Sequence, residues 1–301
     1  MRTACLSNTW AFLQLQKAAV DIGSTLPARI ATPTAGFFAS AALALIAVFV
    51  FGDPLAKLEN ALVFVPRSYP VGNWHPAGVA FEDAWFCATD GTKLHAWFLP
   101  QTRPRAVVLF CHGNEGNVAT WAGALAILHD RVGVAVLGFD YRGYGRSEGS
   151  PSEAGILADA RAARAWLAHR ERISESQIVV MGRSLGGAVA IDLAAKDGAR
   201  ALVVESTFTS APDVAHAKLP WLPLRTLMRT QFDSLAKIRN YHGPFLQSYG
   251  TDDRLIPFEM GKNLFAAAND PKRFVTIPGH SHNDPQTNAY YVALAEFLSH
   301  L

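Results

Sequence analysis

The chain predicts an α/β fold, a mostly parallel sheet with helices on both faces, and three observations carry that prediction. Short apolar, β-branched runs recur at Ala106 to Cys111, Gly133 to Phe139, Ile178 to Met181, Ala201 to Val204, Phe245 to Tyr249 and Phe274 to Ile277. Strands buried on both faces read as continuous apolar runs of this kind. Alanine-rich stretches of helical length separate most of them, among them Ala119 to Leu128 and Leu157 to His169. Parallel neighbours need crossovers of that size. Finally, the residues able to do chemistry cluster where these runs end, and sites in open parallel sheets form at the carboxyl ends of strands.

Composition sets the outer bounds. Of 301 residues, 50% are apolar and 17% charged, enough for a substantial core. Lys plus Arg (27) nearly balances Asp plus Glu (25), with neither sign in long runs, which disfavours a nucleic-acid partner. Cys5, Cys87 and Cys111 have neither metal-ligand spacing nor a paired framework. Cys87 and Cys111 sit in strand-like runs, where small buried thiols are expected.

Residues 1–34 form an N-terminal segment with one acid, Asp21, beside Arg2, Lys17 and Arg29. The uncharged run Ala35 to Gly52 follows and stops at Asp53-Pro54. Its length meets the roughly 17–25 residues that a membrane helix needs. With no small-x-small cleavage site after it, residues 35–52 read as an uncleaved transmembrane signal anchor. The expectation is a single-pass membrane protein, with the charge balance tilting the N-terminus inside and the catalytic domain to the extracytoplasmic side.

Residues 60–301 read as the α/β domain. Val79 to Cys87 and Lys93 to Leu99 are two strands joined by Asp90-Gly91, a strong hairpin signal. At Gly182-Arg183-Ser184-Leu185-Gly186-Gly187, a serine stands between a buried strand and a helix, with glycine two residues away on either side. That is the G-x-S-x-G elbow, which needs glycines because the turn must lift the serine oxygen clear of strand and helix. Alone, it is equally a plain strand-to-helix turn. Residues 206–240 break the alternation with Leu219-Pro220-Trp221-Leu222-Pro223-Leu224 and a basic amphipathic run from Arg225 to Phe232. A connection this long inside a compact domain reads as a lid over an acyl-binding pocket, or as a small subdomain on its own core.

A serine hydroxyl is a poor nucleophile until a base takes its proton and a third group orients that base. Elbow sites supply these partners later in the chain, acid before histidine. After Tyr249 come Asp252 and Asp253; after Ile277 come His280 and His282. Each pair lies at a strand end. Upstream, Cys111-His112-Gly113-Asn114-Glu115-Gly116-Asn117 follows an apolar run, and backbone N–H groups there and at Leu185 are placed to hold an oxyanion. His112 reads as structural, because the base is better supplied downstream.

These pieces resemble the α/β-hydrolase superfamily, and within it the membrane-anchored branch whose strand end reads H-G-N-x-G-N. That branch holds proteins of the yeast bud-emergence type and protein depalmitoylases. The resemblance covers about residues 60–301 and rests on F-V-P at 64–66, D-G-T-K-L at 90–94, H-G-N-E-G-N at 112–117, D-Y-R-G-Y-G-R-S-E-G at 140–149, G-R-S-L-G-G at 182–187, F-D-S-L-A-K-I at 232–238, G-T-D-D-R-L-I-P at 250–257 and H-N-D at 282–284. It implies Ser184 as nucleophile, Asp253 rather than Asp252 as acid, and His282 rather than His280 as base. The N–H groups of Asn114 and Leu185 hold the oxyanion, and residues 140–149 have no catalytic role. No cofactor or metal is implied. The expected function is a serine hydrolase acting on carboxylic ester or thioester bonds of acyl substrates near a membrane, either small or lipid-like esters or an S-acylated protein. A serine peptidase of the same fold and a non-catalytic, membrane-tethered binding protein are the alternatives.

Overall fold

The structure is a computed structural model that describes residues 54–301. The N-terminal segment 1–34 and the predicted span 35–52 lie outside the described residues. Among those described, no helix is long and apolar enough to cross a membrane. The longest, Glu153–Glu171, carries Asp159, Arg161 and Arg164 in its middle, each engaged in an ion pair. The expected single-pass placement, with its extracytoplasmic catalytic domain, is therefore corrected: nothing described supports it.

Helix α1 (Pro54–Val63) comes first among the described elements. Residues Leu62–Leu301 form a compact unit around one eight-stranded sheet. In chain order its strands are β1 (Glu82–Cys87), β2 (Lys93–Leu99), β3 (Val107–Cys111), β4 (Ala135–Phe139), β5 (Val179–Arg183), β6 (Ala201–Glu205), β7 (Phe245–Gly250) and β8 (Lys272–Ile277). Across the sheet the order is β8-β7-β6-β5-β3-β4-β2-β1. From β4 to β8 every pairing is parallel, while β2 runs antiparallel to both β1 and β4. The β1–β2 hairpin turns at the expected Asp90-Gly91, where Gly91 takes φ +86°.

The helices are α2 (Ala122–Ile127), α3 (Glu153–Glu171), α4 (Leu185–Asp197), α5 (Ala211–Lys218), α6 (Leu224–Leu227), α7 (Ser234–Ile238), α8 (Phe258–Ala267) and α9 (Asn288–Ser299). The two faces of the sheet have separate cores, as a period of two requires. Val107, Leu109, Leu137, Val180 and Val204 pack with α3, α4 and α8. Val108, Phe110, Val136, Val179 and Val203 pack with α2 and α9. Each fully buried side chain of this size contributes about 1.5–3 kcal/mol, so the doubly covered central strands are the rigid base of everything attached to them. Cys111 is buried and free, as expected, whereas Cys87 is only half-buried.

Candidate active site

Ser184 is the single residue between β5 and α4, with φ 54° and ψ −118°. A non-glycine residue rarely adopts that conformation, so the turn stores strain at the serine itself. The neighbouring glycines serve space rather than torsion. A side chain on Gly182 would meet the Gly186 carbonyl, one on Gly186 the Cys111 carbonyl, and one on Gly187 the side chain of Thr207. Two bonds at the end of β6 and just past it hold the strained peptide: the Ser184 N–H donates to the Glu205 carbonyl at 2.9 Å, and the Thr207 hydroxyl donates to the Ser184 carbonyl at 2.8 Å.

The loop after β8 brings His282 over this turn. Its Nε2 lies 3.0 Å from Ser184 Oγ, and its Nδ1 lies 2.7 Å from Asp253 Oδ2 in the loop after β7. The other carboxylate oxygen accepts the N–H groups of Leu255 at 2.9 Å and Ile256 at 2.8 Å. A carboxylate only accepts, so Nδ1 carries the hydrogen and Nε2 is left to accept from the serine hydroxyl. Asp253 and His282 are buried and Ser184 half-buried. The alternatives stand apart: Asp252 is exposed and accepts from the Thr251 hydroxyl at 2.9 Å, while His280 Nδ1 faces the Pro278 carbonyl at 3.2 Å.

The loop after β3 passes Ser184 closely enough that a Cβ on Gly113 would lie 3.8 Å from the serine Cβ. The Asn114 side chain fixes the next peptide. Its Nδ2 donates to the Val63 carbonyl at 2.7 Å, and its Oδ1 accepts from the Tyr144 hydroxyl at 2.8 Å and the Val65 N–H at 3.2 Å. Leu185 opens α4, so its N–H has no intrahelical acceptor. His112 is buried and faces the Gly113 carbonyl through Nδ1 at 2.7 Å. Burial pushes its basicity below the usual imidazole value, against the charge of Asp140 and the Gly113 bond.

Residues 140–149 tie this loop to the sheet edge. Asp140 accepts from the Val118 N–H at 2.7 Å and faces His95 Nδ1 at 3.1 Å. Arg142 grips Asp159 of α3 through Nη2 at 2.7 Å and Asp90 of the hairpin through Nη1 at 2.8 Å. The Arg142 hydrogen bond, helped by Thr92, holds Asp90 down at about 2. Among the described residues no group of three His, Cys, Asp or Glu side chains could hold a metal ion.

Residues 206–240 fold as α5, α6 and α7 joined by irregular chain. Within the amphipathic run from Arg225 to Phe232, helix ends at Leu227. Beyond it, the Gln231 and Phe232 N–H groups donate to the Glu153 carboxylate at 2.6 and 2.9 Å instead of to an intrahelical carbonyl. The base of the segment belongs to the main core, where Phe208, Phe232 and Ile238 are buried and Phe232 meets Phe64 edge-on. Its tip exposes Trp221 (74%) and Leu227 (65%). A shallow groove there of about 280 Å³ is lined by His216, Pro220, Trp221, Leu222, Pro223 and Arg225. Lys218 links the tip to the acid loop, donating to the Arg254 carbonyl at 2.6 Å.

The α/β hydrolase fold family matches residues 106–235. The Arabidopsis thaliana protein WAV2, an α/β hydrolase domain-containing protein, is 36% identical over 76% of this chain and 83% of its own. The chain belongs to the α/β-hydrolase family. A Mycobacterium tuberculosis protein is 40% identical over 76% of this chain and 82% of its own. Bem46 of Schizosaccharomyces pombe is 31% identical over 81% of this chain and 87% of its own, which places the chain on the bem46-like branch. Among solved structures, the esterase Pf2001 of Pyrococcus furiosus superposes with a TM-score of 0.66, covering 79% of this chain and 98% of that one at 20% identity, a likeness of fold.

Two features of the site had no role in the sequence reading. Thr207 holds the Ser184 carbonyl, and Arg183, the variable position of G-x-S-x-G, reaches across to the histidine loop. Its position next to the serine was the only available signal.

Proposed function

We propose that this hydrolase-family protein is a serine hydrolase cleaving carboxylic ester or thioester bonds through an acyl-enzyme. The continuous line Ser184 Oγ, His282 Nε2, His282 Nδ1, Asp253 Oδ2, with end contacts of 3.0 and 2.7 Å, carries this reading. Ser184 attacks the acyl carbon as His282 takes its proton, and the resulting imidazolium is stabilised by Asp253. The N–H groups of Asn114 and Leu185 receive the oxyanion, each donor being worth roughly 3–4 kcal/mol in such sites. His282 then protonates the leaving alkoxide or thiolate. A water, deprotonated by the same His282, attacks the acyl-serine and releases the carboxylic acid, regenerating the serine.

For substrate, we propose that residues 206–240 act as a lid whose apolar groove seats an acyl chain, on a small or lipid-like ester or on an S-acylated protein. The exposed Trp221 and the prolines beside it support this, as does the Lys218 tie that sets the groove's segment against the loop of Asp253. The test is turnover of p-nitrophenyl esters of increasing chain length by wild type and Trp221→Ala. Wild type should prefer longer chains, and the variant should lose about 10-fold in kcat/KM on the longest while keeping its rate on acetate. A preference for acetate in both proteins would remove the acyl-chain assignment.

A further inference from the structure

The residue before the nucleophile makes the least expected contact in the site. Arg183 ends β5, is 9% exposed, and donates through one nitrogen, Nη2, to two backbone carbonyls of the histidine loop: His282 at 2.7 Å and Asp284 at 2.8 Å. Its Nη1 lies 3.9 Å from the buried Glu205 carboxylate, and its guanidinium carbon lies 5.6 Å from the centre of the Trp121 ring. Glu205 is the residue whose carbonyl holds the Ser184 N–H. The guanidinium is thus fixed on the side of the nucleophile and spends two hydrogen bonds on the base.

Apart from Arg183, the histidine loop is held mainly ahead of His282, where the His280 carbonyl accepts the Asp252 N–H at 3.0 Å. Residues 278–287 contain no helix or strand; a turn bond joins Ser281 N–H to the Asp284 carboxylate at 2.7 Å, and Gly279 and Gln286 are tied at the margins to Thr251 and Ser248. Asp253 fixes the tip of the His282 ring, which sets its rotation. It does not set how far the ring's backbone stands from the elbow. The Arg183 bond to the His282 carbonyl does, because it closes a ring of contacts running Arg183, Ser184, His282 and back to Arg183.

We infer that Arg183 is a positioning residue that sets the Ser184–His282 distance by clamping the backbone of the base to the strand that carries the nucleophile. The inference rests on the serine-hydrolase reading above. A reacting pair misplaced by about 1 Å loses on the order of 100-fold in rate, so a clamp acting directly on the base has leverage on kcat without touching substrate.

The test is kcat per active site for Arg183→Met and Arg183→Lys, with sites counted by stoichiometric titration using a fluorophosphonate. Methionine keeps the stem and removes both bonds. Lysine keeps the charge next to Glu205 but, with a shorter reach from a fixed strand end, cannot serve both carbonyls. The expected results are a kcat per titrated site lower by roughly 10- to 100-fold for Arg183→Met and roughly 10-fold for Arg183→Lys, with KM unchanged in both. A purely structural role would lower the number of titratable sites and leave kcat per site at the wild-type value. That outcome in Arg183→Lys overturns the inference even if Arg183→Met fails to fold. Failure of wild type itself to titrate would instead remove the serine-hydrolase reading.

Discussion

The strand ends that carry Ser184 and the inserted segment 206–240 are held in opposite ways. At the strand ends, each proposed reacting group is fixed from several directions by short hydrogen bonds: Ser184 by Glu205 and Thr207, Asp253 by Leu255 and Ile256, His282 by Asp253 and Arg183. The insertion is fixed at its base, where Lys237 of α7 meets Asp192 of α4 at 2.8 Å and Glu153 takes two backbone N–H groups. Its tip carries exposed apolar surface, and Lys218 ties it to the loop of Asp253. The proposed chemistry demands sub-ångström placement, which the buried sheet can supply, whereas the acyl recognition proposed for the insertion calls for an adaptable surface.

The largest effects should fall on the strand ends. Asp253→Asn should lower kcat by roughly 10⁴-fold on any accepted ester, because the amide no longer holds Nδ1–H toward itself. Asp252→Asn, on an exposed carboxylate one residue away, should stay within about twofold under the same assay. Equal losses in the two variants would mean that the acid is not located by its bond to His282.

Next in size is the tie beneath the oxyanion loop. Arg142→Met leaves the buried Asp159 without its fork and frees Asp90, and breaking a buried pair in this way costs roughly 3–5 kcal/mol. Urea unfolding should show a lower midpoint with an unchanged slope. A midpoint within experimental error of wild type would show that residues 140–149 do not secure the fold.

The smallest effect belongs to the hairpin. Asp90 is held at about 2, below its ordinary value of 3.8, chiefly by the Arg142 hydrogen bond. A depressed carboxylate contributes stability that is present above the unfolded value and is lost as pH falls toward the folded one. The thermal midpoint should therefore drop between about pH 4 and pH 2, and Asp90→Asn should shallow that drop while changing little at pH 7. The pair is partly exposed, so the change is modest. An unaltered acid profile in the variant would assign the drop to other carboxylates.

What could be read from sequence follows the same division. The elbow was legible because strand, glycine spacing and helix are contiguous, and the structure adds that Gly182, Gly186 and Gly187 are there for clearance while Ser184 alone takes the strained torsion. The choice of Asp253 and His282 over their neighbours came from motif resemblance, and the observed geometry separates them by burial and by distance to the serine. The bonds of Arg183 to a loop 99 residues away, and of Lys237 to Asp192, leave no local pattern, since either side chain would be equally at home on a solvated surface. Where helix stops inside the run from Arg225 to Phe232 was equally invisible locally. Glu153, distant in sequence, takes the backbone N–H groups of Gln231 and Phe232.

The central claim is that Ser184 is a nucleophile activated by His282. Incubation with a fluorophosphonate probe followed by peptide mapping tests it most directly. The expected result is one adduct per chain on the peptide containing Ser184, absent in Ser184→Ala and strongly slowed in His282→Ala. An adduct on another residue, or labelling that persists in Ser184→Ala, would contradict it.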